Sequence, residues 1–136
     1  MGRMMTVLLL MTLGVSAGEI VLKVEGVRNA KGFVRALLFT KEEGFPTDQA
    51  KAVARAEVKA KQGTVILRFK NVKVTEGAIS VMHDENNDQK LQKNLVGVPR
   101  EGVTASKWNR KGKPAFKSSV MKFEKGKVLV LKVKYF

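Results

Sequence analysis

"EIVLKVEGVRNAKGFVRALLF", residues 19–39, decides how this chain is read. Its dominant period is two. Ile20, Leu22 and Val24 alternate with Val21, Lys23 and Glu25, and Val34, Ala36 and Leu38 oppose Phe33, Arg35, Leu37 and Phe39. Successive side chains of a strand point to opposite faces, so each run presents one apolar face. The link contains Asn29 and Gly32, both turn formers, and the two strands are expected to pair as a hairpin.

The same period recurs down the chain. "TVILRFKNV" (64–72) sets Val65, Leu67 and Phe69 against Ile66, Arg68 and Lys70. "GAISVMH" (77–83) and "PAFKSSVMKF" (114–123) read as further strands. "KVLVLKVKYF" (127–136) places Leu129, Leu131, Val133 and Tyr135 opposite Lys132 and Lys134. "AKAVARAEVKAK" (50–61) alternates too, but alanine favours helix over strand. With Pro46, Thr47 and Asp48 before it, it reads as a helical turn near 47–52 and a strand near 54–60. About seven alternating strands without a repeated βα unit predict an all-β fold, an antiparallel β-sandwich in one domain.

The first 17 residues do not share this pattern. Arg3 precedes the apolar run "MMTVLLLMTLGV", which is too short to span a bilayer, and "VSA" follows with small residues at Val15 and Ala17. This is the order of a signal peptide, with cleavage expected between Ala17 and Gly18 and the sandwich occupying 18–136. The protein is therefore expected in the periplasm or secreted, with no transmembrane segment after cleavage. It contains no cysteine, so the exported domain must be stabilised by its core alone.

The chain holds 26 Lys and Arg against 12 Asp and Glu, a formal net charge of +14. Loss of the signal removes only Arg3 and leaves +13. No recognition-helix pattern or aromatic cluster accompanies that charge, and export argues against nucleic acid. Anionic envelope polymers and lipid headgroups are the partners it allows; scattered surface lysine that only sets solubility is the simpler reading. The segment "SKWNRKGKPAFKSS" (106–119) concentrates Lys107, Arg110, Lys111, Lys113 and Lys117 without an acid. Trp108 lies among them, placed either to meet a sugar ring or headgroup or to cap the sandwich.

"HDENNDQKLQKNLVGVPREG" (83–102) holds the single histidine and opens a long irregular segment from Asp84 to about Pro114. Asp84, Asn86 and Asp88 have the i, i+2, i+4 spacing of an oxygen-ligand loop for calcium, with the Lys90 carbonyl as the next ligand. Position six of such a loop is Gln89 rather than glycine, and position twelve is Leu95 rather than glutamate. Glu85 or Glu101 would have to supply the missing carboxylate. The alternative is an Asx-rich turn in which these side chains bond to their own backbone. One histidine without cysteine argues against zinc. A catalytic reading would pair His83 with Asp84, Glu85 or Glu101 and use Ser106, Ser118 or Ser119. No nucleophile elbow surrounds those serines, and His83 and Asp84 face opposite ways on a strand. No enzyme activity and no cofactor are expected, and His83 is expected to be a hydrogen-bonded residue at the edge of the core.

The stretch resembles the hallmark of a family of small exported bacterial proteins known only as a domain of unknown function, His-Asp-Glu-Asn-x-Asn-Gly-Lys-Leu-Asp-x-Asn-x-x-Gly-x-Pro-x-Glu-Gly. "GFP" at 44–46 and "GKPAF" at 112–116 extend the resemblance over nearly all of 18–136. It implies an immunoglobulin-like or transthyretin-like sandwich and no established activity. The motif supplies the candidate binding residues His83, Asp84, Glu85, Asn86, Asn94, Gly97, Pro99, Glu101 and Gly102, to which Trp108 is added. Here Asp88, Gln89 and Gln92 stand where the pattern has Asn, Gly and Asp, and the two glutamines remove features of a calcium loop. The expected function is a non-enzymatic binding or structural domain at the cell envelope, with a calcium-binding adhesion-type module as the alternative.

Overall fold

The structure, a computed structural model, describes residues 18–87, 101–124 and 126–136. Among the described residues, eight strands run in chain order: β1 (Ile20–Val27), β2 (Phe33–Phe39), β3 (Ala54–Lys59), β4 (Gly63–Phe69), β5 (Glu76–Asp84), β6 (Gly102–Ala105), β7 (Met121–Lys122) and β8 (Val128–Lys132). They form a three-stranded sheet, β4-β1-β8, and a five-stranded sheet, β3-β2-β5-β6, with β7 paired to the start of β5. The two sheets pack together as a β-sandwich. The core lies between them and includes Leu22, Val24, Leu38, Leu67, Phe69 and Ile79, all nearly or wholly buried. Burying one such side chain stabilises the fold by about 1.5–3 kcal/mol.

β1 and β2 do not form the expected hairpin. β1 lies between β4 and β8, and β2 lies between β3 and β5, so the link between them crosses from one sheet to the other. Both strands are central in their sheets, which their burial reflects: every β2 residue after Phe33 is buried, on both faces. Alternation along one strand cannot say which strand is its neighbour. The link's tertiary contacts determine its path, notably Ala60 N–H donating to the Gly32 carbonyl at 3.0 Å.

Three further expectations are corrected. β1 and β8 pair in parallel, with Leu22 beside Leu129 and Val24 beside Leu131, so the sandwich is antiparallel except for this pair. Residues 114–123 are not one strand: a helical turn, Phe116–Ser119, precedes the two-residue β7. The segment from Asp84 to Pro114 is not irregular throughout, because β6 lies within it and pairs with β5. The ambiguous alanine-rich segment does divide as expected, into a 3-10 turn at Gln49–Lys51 and strand β3. Asp48 caps that turn by accepting from Ala50 N–H at 3.0 Å.

The chain's end joins the two sheets. After β8, Val133 N–H bonds to Glu25 in the three-stranded sheet, and Lys134 exchanges backbone bonds with Val103 of β6 at 2.8 and 2.9 Å. This crossing carries Tyr135 to the far end of β5, where the hallmark motif begins.

Candidate functional site

β5 presents Ile79, Val81 and His83 to the core and Ser80, Met82 and Asp84 to the opposite face. His83 and Asp84 are both fully buried, on different sides of the sheet. His83 therefore shares the core face as expected, opposite Val34 on β2 and Gly102 on β6.

Both ring nitrogens of His83 are engaged. Nε2 lies 2.8 Å from the Lys31 carbonyl oxygen, and Nδ1 lies 2.7 Å from the Tyr135 hydroxyl. A carbonyl can only accept, so Nε2 carries the proton. Arg28 N–H donates to the Tyr135 oxygen at 3.0 Å, which leaves the phenolic proton to be donated to Nδ1. The result is a directed chain from Arg28 N–H through Tyr135 and His83 to Lys31. Burial raises the Tyr135 pKa above its usual 10.0, and the phenol stays neutral.

Gly102 makes room for this arrangement. A Cβ there would stand 2.3 Å from Val133 Cγ1 and 2.5 Å from Tyr135 Cε2, so any side chain would displace the ring. Gly32 plays the matching part in the β1–β2 link. Its φ is +66°, and a Cβ would fall 1.9 Å from the Asp84 carbonyl oxygen.

Glu85 closes the cluster from outside. Arg28 grips it with two bonds, Nε to Oε2 at 2.9 Å and Nη2 to Oε1 at 2.7 Å. Asn29 Nδ2 donates to the same Oε2 at 2.6 Å. The hydrogen bonds from Arg28 hold the Glu85 pKa down, from 4.5 to about 2, against the opposing effect of burial. The same pairing raises Arg28. The Arg28 guanidinium also lies 4.4 Å from the centre of the Tyr135 ring. Glu101 is buried, and its Oε2 accepts from Glu85 N–H at 3.0 Å, tying the two ends of the motif together.

On the opposite face, Asp84 Oδ2 accepts from Arg35 Nε at 3.0 Å. Arg35 also bonds to Glu57 on β3 and to Asn87 Oδ1. The Asp84 side chain is thus bound to Arg35 across the sheet, and the turn that follows β5 is closed by Asn87 N–H donating to the Asp84 carbonyl at 3.3 Å. Asn87 takes a left-handed φ of 55°, and Asn86 is exposed beside it. Asp88, Lys90, Asn94, Gly97 and Pro99 lie outside the described residues. Among the described residues, no group of three or more His, Cys, Asp or Glu is placed to hold a metal ion.

Trp108 does not join the His83 cluster. It follows β6 at Ala105, which pairs with Ser80, three residues along β5 from His83 or about 10 Å. Its ring is half-buried, with Nε1 enclosed. The other segments that carried the resemblance do meet. Phe45 of "GFP" packs edge-on against Phe39 at 5.3 Å and against Phe116 of "GKPAF" at 5.9 Å. Ser80 Oγ donates to the Pro46 carbonyl at 2.6 Å, so both segments are fastened to the outer face of the five-stranded sheet.

Arg28, Asn29, Lys31, Gly32, Arg35 and Tyr135 were not among the candidate site residues read from the sequence, where Asn29 and Gly32 counted only as turn formers. The available signals were an arginine inside the apolar run of β2 and the single tyrosine on the core face of the last strand.

Two sheets with a closed polar cluster at one end define an all-β sandwich whose motif residues bind one another across strands. The chain belongs to the family described as an uncharacterized protein conserved in bacteria (DUF2141), which it matches over residues 22–130. No curated protein and no solved structure matches it.

Proposed function

We propose that this is an exported, non-catalytic β-sandwich domain that binds anionic polymer at the cell envelope. One observation supports the non-catalytic part above all. His83, Asp84, Glu85 and Glu101, the groups that could act as base, acid or ligand, all hydrogen-bond within the fold. A general base needs an accessible lone pair facing a substrate. His83 instead presents Nδ1 to Tyr135 and is fully buried.

The binding part rests on how the cations are gathered. Arg110, at a left-handed φ of 70°, donates from Nη1 to the Lys132 carbonyl at 2.7 Å, and Lys134 Nζ donates to the Arg110 carbonyl at 2.6 Å. The stretch around Arg110 thus meets the end of β8, and Lys111, Lys113, Lys117 and Lys132, carried by these two segments, are exposed. Among the described residues, no acid pairs with these four lysines.

The test is retention on heparin and on anionic vesicles. Replacing Lys111, Lys113, Lys117 and Lys132 with Gln should abolish retention. Replacing Lys41, Lys59, Lys61 and Lys70, which are exposed elsewhere, should weaken it only slightly. Retention should fall steeply with salt, since screening shortens from ~10 Å at 0.1 M to ~3 Å at 1 M. Equal losses in the two variants would show that net charge alone is responsible and would refute a localised binding face.

A further inference from the structure

The two ends of the sandwich differ. At the His83 end the space between the sheets is filled by Tyr135 against Gly102. At the opposite end lies an open cavity of about 420 Å³, between the start of β1, the 72–75 segment, β7 and the start of β8. Its wall contains Val72, Val74, Phe123 and Leu129. These four pack against the hydrophobic core yet are only partly buried, so the core reaches solvent here.

The charges around this cavity are unbalanced. Glu19 is paired with Arg68 at 3.2 Å, and Glu124 with Lys127 at 3.4 Å. Lys73 and Lys122 also line it, both are exposed, and among the described residues no acid pairs with either. An apolar wall under two exposed ammonium groups, Lys73 and Lys122, the latter standing opposite Glu76 in the β5–β7 pairing, is complementary to an apolar chain ending in a negative charge. The volume falls in the range of about 300–1,000 Å³ common for small-molecule sites.

We infer that this cavity binds a free single-chain anionic amphiphile, a fatty-acid-type carboxylate. The hydrocarbon lies against Val72, Val74, Phe123 and Leu129, and the carboxylate lies between Lys73 and Lys122. The site is separate from the basic surface of 107–117, and its occupancy does not depend on anionic polymer binding there.

The experiment is calorimetric titration of the protein, expressed from the 136-residue sequence, with decanoate, dodecanoate and tetradecanoate below their micelle concentrations. A cationic alkyl-trimethylammonium of twelve carbons is the control. Saturable one-to-one binding is expected, tightening roughly fourfold for each methylene buried. The cationic control should bind at least tenfold more weakly than dodecanoate. Charge reversal at the rim, Lys73→Glu with Lys122→Glu, should invert that preference while circular dichroism stays unchanged. Thr75→Trp, at an exposed position lining the cavity, should block both ligands without affecting heparin retention. Affinity independent of chain length, unaltered preference in the reversed variant, or undiminished binding in Thr75→Trp would each overturn the inference. Loss of heparin retention in the 111–132 lysine variant with dodecanoate binding intact would bear on the polymer-binding proposal alone.

Discussion

Tyr135, the penultimate residue, donates its phenolic proton to His83 Nδ1 across 2.7 Å, with the two rings edge to face at 6.0 Å. This single contact ties the end of the chain to the middle strand of the five-stranded sheet. It also explains the isolated histidine of the motif: His83 has no exposed surface and holds β5, the β1–β2 link and the C-terminal segment together.

Tyr135→Phe should therefore destabilise the fold although the ring remains. His83 Nδ1, on a fully buried side chain, would lose its partner, and an unsatisfied buried group costs about 1–3 kcal/mol, whereas Arg28 N–H at its exposed position can turn to water. Urea unfolding monitored by circular dichroism should show that loss with an unchanged slope. A midpoint equal to that of the native protein would mean that the hydroxyl contributes nothing.

Two glycines are predicted to be irreplaceable for different reasons. Gly32→Ala would drive Cβ into the Asp84 carbonyl at a positive φ. Gly102→Ala would push Tyr135 off His83. Both should lower the melting temperature by well over ten degrees or prevent folding, whereas Gly63→Ala, with open space around it, should cost only the strain of its φ of +102°. Comparable melting temperatures for all three would contradict the close contacts.

Much of this fold was legible beforehand. Alternation in 19–39, 64–72 and 77–83 marked the strands, because a half-buried strand must alternate. Placement of His83 on the core face with Ile79 and Val81 followed from the same rule. The neighbours of each strand were not legible, and the expected β1–β2 hairpin is two central strands of different sheets. Pairing partners depend on contacts far apart in sequence, such as Arg28 with Glu85 and Arg35 with Asp84, which no local pattern encodes. The roles of Gly32 and Tyr135 were hidden for the same reason.

Glu85 gives the fold a defined acid sensitivity. Its pKa is lowered on folding, from 4.5 to about 2, by hydrogen bonds from Arg28. A carboxylate held below its unfolded value stabilises the fold fully above that value, and the contribution is lost as pH falls through the folded one. Stability should therefore decline between about pH 4.5 and about pH 2, and Glu85→Gln should be less stable than the native protein at pH 7 but lose less over that interval. Thermal melts at several pH values measure this. Parallel pH profiles for the two proteins would remove Glu85 from the account.

Asp84 separates a structural motif from a calcium loop. Asp84→Ala removes the buried carboxylate from Arg35, whose guanidinium keeps Glu57 and Asn87, so the loss should lie at or below the about 3–5 kcal/mol of breaking a buried pair. The loss should be the same in millimolar calcium and in chelator, and the native protein should melt at one temperature in both. A calcium at a hundredfold excess over its Kd would add ~2.7 kcal/mol, several degrees in a domain of this size. Such a rise, absent in Asp84→Ala, would establish the calcium-binding alternative.

The protonation of His83 tests the central claim most directly, that the motif is an internal fastening rather than a reactive or metal-binding site. Nitrogen-15 NMR of the labelled imidazole distinguishes its two nitrogens. The account predicts one tautomer, with the proton on Nε2 facing the Lys31 carbonyl and Nδ1 accepting from Tyr135, and no change on adding calcium or zinc. A proton on Nδ1, exchange between tautomers, or a metal-induced shift of either nitrogen would contradict it.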